Sequence, residues 1–219
     1  MDLRLKFKRK TTGKDNKEDF QLFKRFGFFI VLIALQLLYF PINQFVKGGT
    51  STLLPIDHYI KLSPIWAIPY LLSILWWVAA IGWAAWNIEF RQFTRFFACL
   101  LLTILISYIV YLVFPTYVDR PAVEGQDFLS KLVVFIYGND RPYNVLPSGH
   151  TYTTLIISMF WIDWFPKQRI IWIPVAVIVI LSTLFTKQHA VLDLIAAVIL
   201  TLSCYKLSEY VIRDAAQVL

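Results

Sequence analysis

Six stretches of this chain are almost unbroken apolar sequence and run close to twenty residues each: 27–46, 66–86, 96–114, 150–165, 170–185 and 189–211. A run of that length crosses a ~30 Å hydrocarbon layer as a helix. Lipid offers no partner to an open backbone, so a helix is the structure left to it. Apolar residues make up 58% of the chain and charged residues 16%, a balance that belongs to a polytopic membrane protein and not to a soluble globular domain. The expected fold is therefore an all-α integral membrane protein, a bundle of six transmembrane helices. Residues 1–25 form a basic N-terminal segment and 26–219 a single membrane domain. The runs at 150–165 and 170–185 are near the short limit for a span, so their helices must stand nearly upright or borrow flanking residues.

The net charge of +7 could point to nucleic acid, but nine of the 21 Lys and Arg fall between Arg4 and Arg25, ahead of the first apolar run. A basic juxtamembrane segment is a topology signal, and nucleic acid is not an expected partner. The segment lacks a small-residue cleavage site behind its apolar run, so it reads as an uncleaved first span. Positive residues stay cytoplasmic in short loops. That rule puts both termini, Arg91 with Arg95, and Lys167 with Arg169 inside, and it leaves the connections 47–65, 115–149 and 186–188 on the outer side. Cys99 and Cys204 lie within apolar runs and read as small buried residues. Asp163 has Lys167 four residues on, a pair that accounts for it at the inner end of its span.

The unusual chemistry gathers on the outer side. In RPYNVLPSGH (141–150), Ser148 can cap the helix that follows, Gly149 lets an oxyanion approach the backbone, and His150 opens the span. In TKQHAVLD (186–193), His189 and Asp193 are four apart, a spacing that lets the carboxylate hold one imidazole N–H and leave the other nitrogen its lone pair. Helix starts carry free N–H groups and partial positive charge, so two of them converging make an anion cradle. Arg120 in FPTYVDRP brings a fixed cation suited to bidentate phosphate contact, and Lys187 brings another. An oriented neutral imidazole beside fixed cations can attack phosphorus and form a phosphohistidine, while a second histidine protonates the departing oxygen. That chemistry calls for no metal or other cofactor. A haem held by the two histidines and a purely lipid-binding role are the competing readings of the same cluster.

The three pieces, in this order, resemble the type 2 phosphatidic acid phosphatase superfamily, whose motifs read K-x6-R-P, P-S-G-H and S-R-x5-H-x3-D. Arg120 and Pro121 match the first motif, Pro147 to His150 complete the second, and His189 with Asp193 match the third. The resemblance implies His189 as nucleophile, Asp193 as its orienting partner and His150 as the acid on the leaving group. Arg120, Ser148 and Gly149 would hold the phosphate, and turnover would need no metal. The chain departs from the motifs at two places, with Val113 where the lysine stands and Thr183 where the arginine stands. Lys187 and Arg141 are the candidates to replace the missing charge. The K-Q-H form of the third motif, with D-x-P-x-N ahead of P-S-x-H, looks like the branch of inositol phosphorylceramide synthase-like transferases.

The expected activity is metal-independent hydrolysis of a lipid phosphate or diphosphate at the outer face of the cell membrane. The alternative is a phosphotransferase that passes phosphate or a phospho-headgroup to an alcohol. Residues 123–137 are expected to include a short interfacial helix beside the site, and His58 is expected to be solvated.

Overall fold

A computed structural model of the chain describes residues 13–215; the basic positions from Arg4 to Lys10 lie outside the described residues. Among the described residues seven α-helices are present: α1 Gly13–Phe45, α2 Ala67–Asn87, α3 Phe90–Val113, α4 Phe128–Asn139, α5 Gly149–Trp164, α6 Arg169–Phe185 and α7 Val191–Ala215. Among the described residues five helical stretches are long and apolar enough to cross a membrane: Phe20–Phe45, Pro64–Asn87, Phe90–Val113, Pro166–Phe185 and Val191–Tyr210. This is a multi-pass membrane protein. The remaining apolar run is α5, at 16 residues a rod of about 24 Å. Its short length goes with a central place, since it packs on α2, α3, α6 and α7.

Local chemistry sets several boundaries. Glu89 caps α3 by accepting from Gln92 N, and Asp127 caps α4 by accepting from Leu129 N and Ser130 N. The Ser130 hydroxyl adds a third bond to Asp127, which holds that carboxyl below its usual range. A short helix, Phe128–Asn139, overlaps the 123–137 stretch in which one was expected. The first span belongs to a helix that runs continuously from Gly13 to Phe45.

Apolar side chains gain little by leaving lipid for one another, so close packing has to hold such a bundle. Small residues on α2 and α7, Ala80, Ala84 and Ala197, are buried against Phe93, Phe96 and Leu100 of α3 and Ile156, Ile157 and Phe160 of α5. Cys99 and Cys204 are buried in the same core as free thiols. At the end of α5 away from Ser148, Arg95 lies 4.5 Å from the Tyr205 ring centroid and 5.1 Å from that of Phe160. Arg95 also stands 3.8 Å from Asp163, whose carboxylate accepts the Tyr205 hydroxyl. The expected Asp163–Lys167 pair is thus replaced by Asp163–Arg95. The helix stops at Trp164 and Lys167 falls in a 3-10 turn, so the four-residue spacing no longer places the two on one face.

At the other end the loops are tied together. Thr50–Ser51 (β1) and Thr116–Tyr117 (β2) form a short parallel pair, and Tyr117 bridges antiparallel to Tyr143. Gly49 makes the crossing possible. It sits at φ +109, and a Cβ there would stand 2.0 Å from the Pro115 carbonyl oxygen.

Candidate active site

The start of α5 is built by three neighbours. Ser148 is fully buried, and its Oγ accepts from Thr151 N at 3.3 Å and from the Thr151 hydroxyl at 3.0 Å. The Tyr111 hydroxyl of α3 donates to the Pro147 carbonyl at 2.7 Å. Ser148 N donates to the backbone oxygen of Asp193 at 3.2 Å, so the two helix starts expected to converge are joined by a direct hydrogen bond. Gly149 N and His150 N have no acceptor among the described residues. These are the orphan donors that the first turn of any helix leaves open.

The α7 start differs from the sequence expectation in one respect. His189 is not its first helical residue; the helix begins at Val191, and His189 lies in the turn before it. That turn is held by the Thr183 carbonyl, which accepts from Gln188 N at 3.0 Å and from His189 N at 3.2 Å. Asp193 Oδ2 accepts from Ala190 N at 2.8 Å and stands 3.4 Å from His189 Nδ1. The carboxylate therefore closes the turn and faces the imidazole at once. The open N–H of Val191 is not left for a ligand, because Asp57 Oδ1 reaches it from 134 positions away at 2.9 Å. The anion cradle is thus one-sided: α5 keeps free donors, whereas α7 has two carboxylates on its own.

His150 lies between rings, 3.9 Å from the Tyr70 centroid and 4.8 Å from that of Trp77. Its Nε2 is buried without a partner. Both histidines line one chamber of about 80 Å3, together with Gly149, Tyr111, Tyr152, Asn144 and Asp140. A second, apolar cleft of about 460 Å3 runs between α1 and α2, walled by Leu32, Leu37, Ile74 and Val78 and by Leu100 and Ile104 of α3. The two share Gln36, Tyr39, Trp77, Asp140, His150 and Thr153 as common wall. The cleft exists because α1 packs on α3 and leaves α2 room on its other side.

Arg120 is bound by protein acceptors. Its Nη1 donates to the Asp140 carbonyl at 2.6 Å, and its Nη2 donates to Gln188 Oε1 at 2.7 Å and the Arg141 carbonyl at 3.3 Å. Nε is buried and unpartnered. The guanidinium lies 4.9 Å over the Tyr137 ring, whose phenol burial pushes up to about 12, so it stays protonated and donates to the Thr186 carbonyl.

The two stand-in cations go elsewhere. Lys187, at φ 55, donates from Nζ to the Asp57 carbonyl at 3.0 Å, and burial lowers its pKa against the opposing pull of Asp57. Arg141 donates from Nη1 to the Gln44 carbonyl at 3.4 Å. Neither borders the chamber, because a carbonyl in the last turn of α1 captures Arg141 and one in the 3-10 turn Pro55–His58 captures Lys187. Thr183 and Ser182 turn their hydroxyls back to Ile180 and Val179 of their own helix, and Val113 is 78% exposed.

Asp140 and Asn144 entered the sequence reading only as letters of the D-x-P-x-N pattern, with no role assigned, and Tyr39 and Asp57 did not enter it. That pattern, D-R-P-Y-N at 140–144 just ahead of P-S-G-H, was the available signal for a site role. Nothing local marks Tyr39 or Asp57, which reach the site only through the fold. His58, the neighbour of Asp57, is exposed.

A family model described as the PAP2 superfamily matches residues 96–215, a span that takes in most of α3, all of α4 to α7 and all three motif pieces. No curated protein and no solved structure matches the chain.

Proposed function

Because the chain belongs to the PAP2 superfamily, whose chemistry is phosphatase or phosphotransferase action on lipid phosphates, we propose that it releases phosphate from a lipid phosphate or diphosphate through a phosphohistidine. The observation that carries this reading is the common wall. A chamber with both histidines shares six lining residues with an apolar cleft between two long apolar helices, an arrangement that suits a substrate with a charged head and a hydrocarbon tail.

In this mechanism Asp193 faces Nδ1 of His189 and leaves Nε2 as the attacking atom. The Nε2–P bond forms as the bond from phosphorus to the lipid oxygen breaks. His150 delivers its proton to that oxygen, the imidazolium at His189 is balanced by Asp193, and the N–H groups of Gly149 and His150 receive the phosphoryl oxygens. Water then attacks phosphorus, gives a proton to His150 and frees His189. Ser148 shapes the seat by fixing the turn. Arg120 supplies fixed positive charge and braces Gln188, the residue before the nucleophile.

The orientation follows the positive-inside rule. With α5 counted as a sixth span, both termini are cytoplasmic and the chamber opens to the extracytoplasmic side of the cell membrane.

Radiolabelled lipid phosphates, turned over in chelator and quenched in alkaline detergent, test the proposal. Wild type should carry an acid-labile, alkali-stable label, and His189→Ala should carry none and release no phosphate. Full turnover by His189→Ala would end the proposal.

A further inference from the structure

The wall shared by cleft and chamber presents acceptors where a surface meant only for phosphate would present donors. Asp140 lines both cavities. Its Oδ1 accepts from the Tyr39 hydroxyl at 2.7 Å and its Oδ2 from the Tyr70 hydroxyl at 3.4 Å. A carboxylate has about four lone-pair sites, so about two stay open. Tyr39 is fixed in turn: its oxygen accepts from Asn43 Nδ2 at 3.3 Å, which commits the phenol proton to Asp140. In the same chamber, Asn144 is 2% exposed and held at φ 58. Its Nδ2 is occupied by the Ile42 carbonyl at 3.3 Å, and its Oδ1 is buried without a partner. A buried acceptor without a donor is costly. A phosphate dianion offers no donor and is repelled by Asp140, whereas a hydroxyl group offers the proton that Asn144 Oδ1 lacks and that the open lone pairs of Asp140 can accept.

We propose that Asp140 and Asn144 form a hydroxyl-recognition site beside the phosphoryl seat, so that the reaction involves an alcohol group held close to phosphorus. The proposal rests on the phosphohistidine reading for its chemistry. The hydroxyl has two possible sources, the lipid's own backbone next to the phosphate or a separate polyol acceptor. In the second case the acceptor oxygen attacks the phosphorus of phospho-His189. The P–O bond forms, the P–Nε2 bond breaks, and the alcohol proton passes to His150, leaving His189 neutral and the polyol phosphorylated. Asp140 and Asn144 position the alcohol and take no part in the bond changes.

Two arms test this. In the first, lysophosphatidate is compared with its 2-deoxy analogue, by turnover in wild type and by binding to His189→Ala read from the fluorescence of Trp77, which lines both cavities. In the second, a hydroxyl-free alkyl phosphate is turned over with glycerol or inositol, and inorganic phosphate and phosphorylated polyol are both counted. A hydroxyl donated to a carboxylate favours the hydroxyl-bearing partner by about tenfold or more. The expected result is that preference in the first arm, which assigns the hydroxyl to the lipid, or polyol phosphate in the second, which assigns it to an acceptor. Asp140→Asn should cut the preference, or the ratio of transfer to hydrolysis, by about tenfold. Equal handling of each pair by wild type with no polyol phosphate would overturn the proposal, and so would an Asp140→Asn that slows both members of a pair equally. The wild-type ratios stand even where the variant fails to fold. Absence of phosphate release from every lipid would remove the hydrolytic reading, while the binding ratio would still decide this one.

Discussion

Gly149→Ala separates the catalytic seat from the scaffold that carries it. The new Cβ would meet the Tyr152 hydroxyl at 3.6 Å as its nearest neighbour, an ordinary contact, and the residue is the first of α5. Alanine is the better helix former by up to ~1 kcal/mol, so stability should hold or rise slightly. The methyl instead projects into the chamber of about 80 Å3, beside the two N–H groups left without acceptors. Loss of one oxyanion donor costs ~3 to 4 kcal/mol of transition-state stabilisation, about 100- to 1000-fold in kcat. The assay is phosphate release on the best lipid of a substrate panel, paired with thermal unfolding in the same detergent. Turnover within about threefold of wild type at an unchanged Tm would refute the placement of phosphate at this turn. A Tm lower by more than ~5 °C would refute the claim that the space over Gly149 is open.

Three other perturbations probe separate parts of the site. Replacing Asp57 with Ala removes the buried carboxylate that accepts from Leu54 N and Val191 N. It should cost ~2 to 4 kcal/mol, read as a lower Tm, with a smaller loss for Asp57→Asn, which keeps one acceptor; equal Tm for all three proteins would contradict the bridging role. His150→Gln should slow release from alkyl phosphates at least ~100-fold but much less from p-nitrophenyl phosphate, whose leaving group needs no acid; identical losses on both would remove it as the acid. Gly49→Ala forces a Cβ to 2.0 Å from the Pro115 oxygen at φ +109. It should lower folded yield sharply at a cost of ~3 kcal/mol or more, and wild-type yield and Tm would show that β1 and β2 can part freely.

What the sequence disclosed and what it concealed divide along the range of the interactions. The long apolar runs, the Ser148 cap and the Arg120, P-S-G-H and H-x3-D pieces are local patterns, and the structure brings Gly149, His150 and His189 to one chamber. The start of α7 was misjudged by two residues, because the turn at His189 is set by the Thr183 carbonyl and by Asp57, neither of which belongs to the run itself. Lys187 and Arg141 had the right charge and the right loop, but their partners, Asp57 and Gln44, lie 130 and 97 positions away. Such choices are made by the fold, and no spacing rule anticipates them. The role of Asp140, visible only as a letter of D-x-P-x-N, was hidden for a related reason: its environment is made by Tyr39 and Tyr70 of other helices.

The cleft between α1 and α2 has a kinetic meaning of its own. Its rim residues Ile33, Leu37, Ile74 and Val78 are exposed on the side of the bundle, where a membrane protein meets lipid tails and not water. For a substrate loaded through such a side opening, the quantity that governs rate is its mole fraction among surrounding lipids, and its molarity in the suspension is irrelevant. Diluting the substrate with inert lipid at fixed bulk concentration then slows the enzyme, while adding more vesicles of the same composition does not speed it per molecule. Under the proposed hydrolysis the two products also part company by solubility, with phosphate lost to water and the freed alcohol returned to the bilayer. Build-up of that alcohol in the membrane, more than phosphate in solution, becomes the brake on turnover.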